Sequence, residues 1–227
     1  MKRCYLFPTF ACNLSCPLCY QRHLPRRPGY MMTAQQFEKI VSAVGKANLG
    51  EREWVITGGE PTLWPLLREA TERLHQLRPQ AQVRVVSNGF GRTLKDYGAA
   101  DVIQITDYGA INRLDYYRLK KQGKRRVRIQ NAVHWDWDMK DQSSLPGRCG
   151  CTGLSFVGEK VWCCAMAAAA ETEDCIDLDE ELSLFVKFTE PHYQDLCKSC
   201  LVNRKNRKAP KPVLQISLWE GRNVILG

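Results

Sequence analysis

Short apolar runs alternate along the first 133 residues with stretches of helical periodicity, the pattern of an α/β protein with a parallel sheet. We expect a shortened, open (β/α) partial barrel of the TIM type, with about five to six parallel strands. A small α+β cysteine-rich domain with a β-hairpin should follow. Three observations carry this. The predicted strands end on glycine, asparagine or aspartate turns. The 227 residues fall short of a full eight-unit barrel, which takes about 250. After Gly147 the alternation stops and cysteines and charge blocks take over.

Residues 3–9 (RCYLFPT) read as a first strand leading into a cysteine-bearing loop. Thr33 is a candidate N-cap, and Phe37, Ile40, Val41 and Val44 form one helical stripe after it. Glu53 to Thr57 is a strand ended by Gly58-Gly59, and Leu63 to Leu77 has helical spacing. Val83 to Val86 is a strand ended by Asn88-Gly89, with a short helix at 92–98. Val102 to Ile105 is a strand ended by Asp107-Tyr108-Gly109, residues 110–121 a helix, and Val127 to Val133 strand-like. Leu154 to Phe156 and Val161 to Ala165 bracket Gly158-Glu159 as a hairpin. The expected organisation is a barrel at 1–146, a cysteine-rich unit at 147–203 and a basic tail at 204–227. Chemistry in such a frame belongs at the C-terminal ends of the strands. Residues 12–19, 58–61, 87–89 and 107–109 all fall there.

Composition is that of an ordinary globular protein, 44% apolar and 25% charged. The longest apolar run, Val161 to Ala170, is too short for a membrane span, which needs about 20 residues. No signal peptide is read at the N-terminus, where Pro8 breaks the apolar stretch, so a cytoplasmic protein is expected. Eleven cysteines, an odd and clustered set, speak for metal or redox chemistry over a disulfide framework. A net charge of +9 weakly favours an anionic partner.

Cys12-Asn-Leu-Ser-Cys16-Pro-Leu-Cys19 places three thiols on one loop with the spacing C-x3-C-x2-C. Three thiolates hold three corners of a cubane cluster and leave the fourth iron open to a small molecule, as catalytic metal sites do. Zinc with His23 as fourth ligand is the competing reading of the spacing. Gly58-Gly59-Glu60-Pro61 and Ser87-Asn88-Gly89 end the next two strands. The glycines suit close backbone approach to a ligand, and the Glu60 carboxylate suits an ammonium group.

Together these pieces resemble the signature of the radical S-adenosylmethionine (radical SAM) superfamily over roughly residues 3–133. The resemblance implies a [4Fe-4S] cluster on Cys12, Cys16 and Cys19, with S-adenosylmethionine chelating the open iron. It places Leu18 near the adenine. Gly58, Gly59, Glu60 and Pro61 would bind the methionine amino group, and Ser87 and Asn88 the carboxylate and ribose. It implies reductive cleavage of S-adenosylmethionine to a 5′-deoxyadenosyl radical that takes hydrogen from a C–H bond.

Cys197-x-x-Cys200 is a chelating pair, and Gly158-x4-Cys163 lies on the predicted hairpin with cysteines upstream. This set resembles the twitch or SPASM extension of the same superfamily, which implies an auxiliary [4Fe-4S] cluster. Cys149, Cys163, Cys197 and Cys200 are the favoured ligands. Cys151 stands as an alternative to Cys149, Cys164 to Cys163, and a structural zinc on the same thiolates to the cluster. Cys4 and Cys175 read as plain thiols.

Asp107, Tyr108, Arg128 and His134 are substrate candidates at strand ends or on strand faces. Arg126 and Arg128 would share one face of their strand, alongside the reading of a solvated basic surface. The expected outcome is oxidation or rearrangement of a small polar metabolite in natural-product or cofactor biosynthesis. Alternatives are a maturase acting on a ribosomally made peptide, and a non-enzymatic electron carrier or RNA-binding protein. Expected partners are the substrate, an external one-electron donor such as flavodoxin or ferredoxin, and, for a maturase, a separate leader-recognition protein. Neither a membrane nor nucleic acid is an expected partner.

Overall fold

The computed structural model describes residues 3–15, 29–107, 112–123, 126–131, 153–162, 165–171 and 175–178. Among the described residues eight strands form one sheet in the order β5-β4-β3-β2-β1-β6-β7-β8. They are β1 (Arg3–Leu6), β2 (Glu53–Ile56), β3 (Gln82–Ser87), β4 (Val102–Asp107), β5 (Val127–Asn131), β6 (Gly153–Val157), β7 (Lys160–Trp162) and β8 (Ile176–Asp177). The first six are mutually parallel; β7 pairs antiparallel with β6, and β8 antiparallel with β7. The helices are α1 (Ala34–Lys46), α2 (Leu67–Leu77), α3 (Arg113–Gln122) and α4 (Ala165–Ala170). No described helix is long and apolar enough to cross a membrane.

Local sequence explains the boundaries. The Thr33 hydroxyl accepts from the Gln36 N–H at 3.2 Å and the Gln36 side chain from the Thr33 N–H at 3.0 Å, a capping box that starts α1. The stripe Phe37, Ile40, Val41 and Val44 is buried as its spacing predicts. The helix expected from Leu63 begins only at Leu67. Pro65 disfavours helical backbone at Trp64, which is extended at φ −80, ψ 115. Residues Pro61–Leu63 instead make a 3₁₀ turn, and so do Leu94–Tyr97 where a short helix is expected. The hairpin arm expected over Val161 to Ala165 is strand as far as Trp162 among the described residues, and the alanine-rich run Ala165–Ala170 is helical.

Strand alternation divides the sheet into two faces. Cys4, Leu6, Trp54, Ile56, Val83, Val85, Ile103, Ile105, Leu154 and Phe156 form a core with the buried stripes of α1 and α2. The opposite face is polar across several strands. The Arg3 Nε donates to Glu53 at 2.6 Å, Glu53 also pairs with Arg84, Arg84 donates to Gln104 at 2.9 Å, and Gln104 bonds Gln130. Fully covered parallel strands are apolar on both sides, so this face departs from that pattern. The hairpin does not stand apart: β6 pairs with β1 from Arg3↔Gly153 to Leu6↔Phe156 and continues the same sheet. The boundary expected near residue 146 lies outside the described residues.

Candidate active site at the strand ends

Three loops leave the C-terminal ends of β1, β2 and β3 and bond to one another. Past β2, the Gly59 N–H donates to the Thr9 carbonyl at 2.9 Å and the Glu60 N–H to the Ala11 carbonyl at 2.7 Å. A Cβ on Gly58, which has φ +130, would sit 2.5 Å from the Thr9 oxygen. A Cβ on Gly59 would sit 2.0 Å from the Ala11 oxygen. The paired glycines therefore let the two backbones lie side by side just before Cys12. Thr9 is buried, accepts from the Ala11 N–H at 3.0 Å and donates to the Tyr30 carbonyl at 3.0 Å.

Glu60 is fully buried. Its Oε1 accepts from the Thr62 N–H at 3.1 Å, the Thr62 hydroxyl at 2.7 Å and the Ser87 hydroxyl at 2.8 Å. Its Oε2 accepts from the Asn88 N–H at 2.8 Å. A carboxylate offers about four lone-pair sites; here three donors converge on Oε1 and one reaches Oε2. Ser87 Oγ also lies 3.0 Å from the Tyr97 hydroxyl and accepts from the Gly89 N–H at 2.9 Å. Burial, with the Glu60 charge behind it, pushes the Tyr97 phenol up from its ordinary value.

Asn88 closes the arrangement. Its Oδ1 accepts from the Phe90 N–H at 2.8 Å, while its Nδ2 lies 2.8 Å from Asn13 Oδ1 and 3.8 Å from Cys12 Sγ. Its carbonyl accepts at 2.6 Å from the buried Asn112, whose Nδ2 also reaches the Thr106 carbonyl at 2.7 Å. Cys12 is exposed, outside any disulfide, and accepts from the Leu14 N–H at 3.5 Å. An accessible sulfur facing two N–H groups suits a metal-ligating thiolate.

A family model described as "Radical SAM superfamily" matches residues 6–126. The chain belongs to the radical SAM superfamily. That membership implies S-adenosylmethionine and a [4Fe-4S] cluster as cofactors. Two solved structures of BtrN agree on the fold. BtrN in complex with AdoMet and 2-DOIA is similar at TM-score 0.62 and 16% identity, covering 86% of this chain and 91% of BtrN. Selenomethionine BtrN in an open conformation is similar at TM-score 0.60 and 13% identity, covering 87% and 91%. SuiB from Streptococcus suis bound to S-adenosylmethionine gives TM-score 0.45 at 12% identity, covering 81% of this chain and 63% of SuiB. Among curated proteins, none matches this chain.

In this radical SAM chain the residues expected at the site fall into three groups. Cys12, Gly58, Gly59, Glu60, Pro61, Ser87 and Asn88 come together, with Pro61 buried at the first position of its 3₁₀ turn. Asp107 ends β4 and pairs with Arg113 at 3.2 Å; Arg128 lies on the polar face, exposed and in register with Gln104. Arg126 precedes β5 and clamps the Ala100 and Gly98 carbonyls at 2.9 and 3.0 Å. Cys16, Leu18, Cys19, Tyr108, His134, Cys149, Cys151, Cys163, Cys164, Cys197 and Cys200 lie outside the described residues. Sequence reasoning missed Thr9, Asn13, Tyr97 and Asn112, which carry no motif of their own. Cys4 is buried on the core side, and burial pushes its thiol up, as suits an inert cysteine.

Proposed function

We propose that this radical SAM protein holds its [4Fe-4S] cluster on Cys12, Cys16 and Cys19 and oxidises or rearranges a small polar metabolite at a C–H bond. The observation that carries the reading is the convergence of the loops after β1, β2 and β3 on Cys12, through Gly59, Glu60 and Asn88. When bound, the cluster and S-adenosylmethionine supply an electron and a 5′-deoxyadenosyl radical. The chain's own residues do the rest. Gly58 and Gly59 fix the approach to Cys12, Glu60 ties the end of β2 to that of β3, and Asn88 orients the cysteine loop. The polar sheet face around Arg84, Gln104, Arg128 and Gln130 is the surface for polar substrate groups. The similarity to BtrN, solved with AdoMet and 2-DOIA and spanned over 91% of its length, supports a small-molecule substrate.

An auxiliary [4Fe-4S] cluster on Cys149, Cys163, Cys197 and Cys200 belongs to the proposal, as does an external one-electron donor of flavodoxin or ferredoxin type. Support for the auxiliary site is the hairpin β6–β7, which docks on β1 immediately before Cys163. The test is anaerobic reconstitution, iron and sulfide analysis, then reduction with S-adenosylmethionine and assay of 5′-deoxyadenosine. Formation that vanishes in Cys12→Ala supports the reading. A fully loaded, reduced protein that makes none overturns it. Iron unchanged in Cys197→Ala/Cys200→Ala removes the auxiliary cluster from the proposal.

A further inference from the structure

We propose that Asn88 is a positioning residue that sets the reduction potential of the Cys12-bound cluster by hydrogen-bonding the Cys12 sulfur. The inference rests on the cluster assignment above and adds a role for one side chain. The carboxamide orientation is fixed, because Oδ1 accepts from the Phe90 N–H at 2.8 Å and so turns Nδ2 toward the cysteine loop. Nδ2 carries two protons, and two acceptors face it: Asn13 Oδ1 at 2.8 Å and Cys12 Sγ at 3.8 Å. The backbone is pinned on both sides, its N–H by Glu60 Oε2 at 2.8 Å and its carbonyl by Asn112 Nδ2 at 2.6 Å. Asn88 is only 6% exposed, so its carboxamide is held in place from within the protein while it reaches the accessible sulfur.

Hydrogen bonds to the sulfurs are among the determinants of iron–sulfur potentials. Reduction adds one electron, taking [4Fe-4S]2+ to [4Fe-4S]+, and part of that charge resides on the thiolates. An N–H directed at Cys12 Sγ therefore stabilises the reduced form more than the oxidised form and raises the potential. The Leu14 N–H, at 3.5 Å, is a second donor built into the loop itself. Asn88 comes from the turn directly after β3, so it links the potential to the seating of β3 against the cysteine loop.

The experiment is an EPR-monitored titration of the reconstituted holoprotein with dithionite as the one-electron reductant. The N-terminal cluster is recognised by the change in its signal when S-adenosylmethionine is added. Asn88→Asp keeps the shape but puts a carboxylate oxygen where the N–H stood; Asn88→Ala removes the group. Both midpoints should move negative, with Asp the larger shift. A loss of about tenfold in the reduction equilibrium is roughly 59 mV for a one-electron couple. A loaded cluster with an unchanged or more positive midpoint in both variants overturns the inference and leaves the cluster assignment standing. Wild-type protein without any such signal removes both. Should the variants fail to load, the wild type grown on asparagine carrying 15N only in its side-chain amide decides. A weak 15N coupling to the reduced cluster supports the bond, and its absence overturns it.

Discussion

Replacing Gly59 with alanine tests whether the two backbones lie as close as the structure shows. The new Cβ would stand 2.0 Å from the Ala11 oxygen and 2.7 Å from the carbonyl carbons of Ala11 and Phe10. These are main-chain atoms, so no side-chain rotation relieves the clash. Separating the segments breaks the bonds from Gly59 to Thr9 and from Glu60 to Ala11. Two such bonds are worth about 1–3 kcal/mol net, and forced displacement of packed backbone costs about as much again. The sum, about 2–6 kcal/mol, is a large part of the roughly 5–15 kcal/mol that holds a domain folded. Gly45→Ala is the control. It lies inside α1, where its Cβ meets only the end of the Arg78 side chain at 3.3 Å. Alanine there gains about 1 kcal/mol of helix propensity. Urea unfolding of the two apo variants beside wild type should give shifts of opposite sign. A Gly59→Ala midpoint equal to wild type would refute the close approach and the role given to the glycine pair.

Three further outcomes follow from the same network. Glu60→Gln replaces one acceptor oxygen by an NH2 group among donors from Thr62, Ser87 and Asn88. Stability should fall by about 1–3 kcal/mol in a thermal melt of the apo-protein, with a lower yield of reconstituted cluster. Asn112→Ala takes this donor from the carbonyls of buried Asn88 and partly buried Thr106 and should cost a similar, roughly 1–3 kcal/mol by urea titration. Alkaline pH should destabilise the fold. Burial, then the Glu51 charge, raises the Cys4 thiol above its ordinary 9.0, and burial, then the Glu60 charge, raises the Tyr97 phenol above its ordinary 10.0. The folded chain keeps these protons while the unfolded chain releases them. Their stabilisation is thus whole below about pH 9 and is lost as pH rises beyond it. Urea midpoints measured across that range should decline, and the decline should flatten in Cys4→Ala and in Tyr97→Phe. An equal slope in both variants would show that neither group is responsible.

What was legible in the sequence is what local chemistry encodes. Thr33, the stripe Phe37 to Val44 and the apolar cores of β2, β3 and β4 declare themselves by spacing, because burial of one face imposes a period. The cysteine loop and the two glycine-bearing turns declare themselves by residue type. Pairing across long separations is not written that way. Nothing in residues 153–157 says that they add to β1 rather than begin an independent unit. Placing them needs the register of β6 against Arg3 to Leu6. Glu60 shows the same limit at the site. Its chemistry suits an ammonium ligand, yet Ser87 and Asn88, more than 25 positions away, supply donors to its carboxylate. Asn112 and Tyr97 were invisible because Asn112 acts through backbone carbonyls and Tyr97 through its hydroxyl, and such contacts leave no periodic trace.

The network also bears on why three short motifs so distant in sequence can serve one centre. Each joint couples a strand end to the next: Gly59 and Glu60 hold residues 9–11, Glu60 holds Ser87 and Asn88, and Asn88 reaches back to Asn13 and Cys12. The bonds form a closed circuit through the chain's own groups. Buried hydrogen bonds are costly to leave unmade, so the three strand ends are held to one another as a unit. Cys12, the ligand proposed for the first corner of the cluster, stands against that unit through Asn88. The same bonds give a change at Ser87 or Tyr97 a route to Cys12, from Tyr97 to Ser87, on to Glu60 and through Asn88.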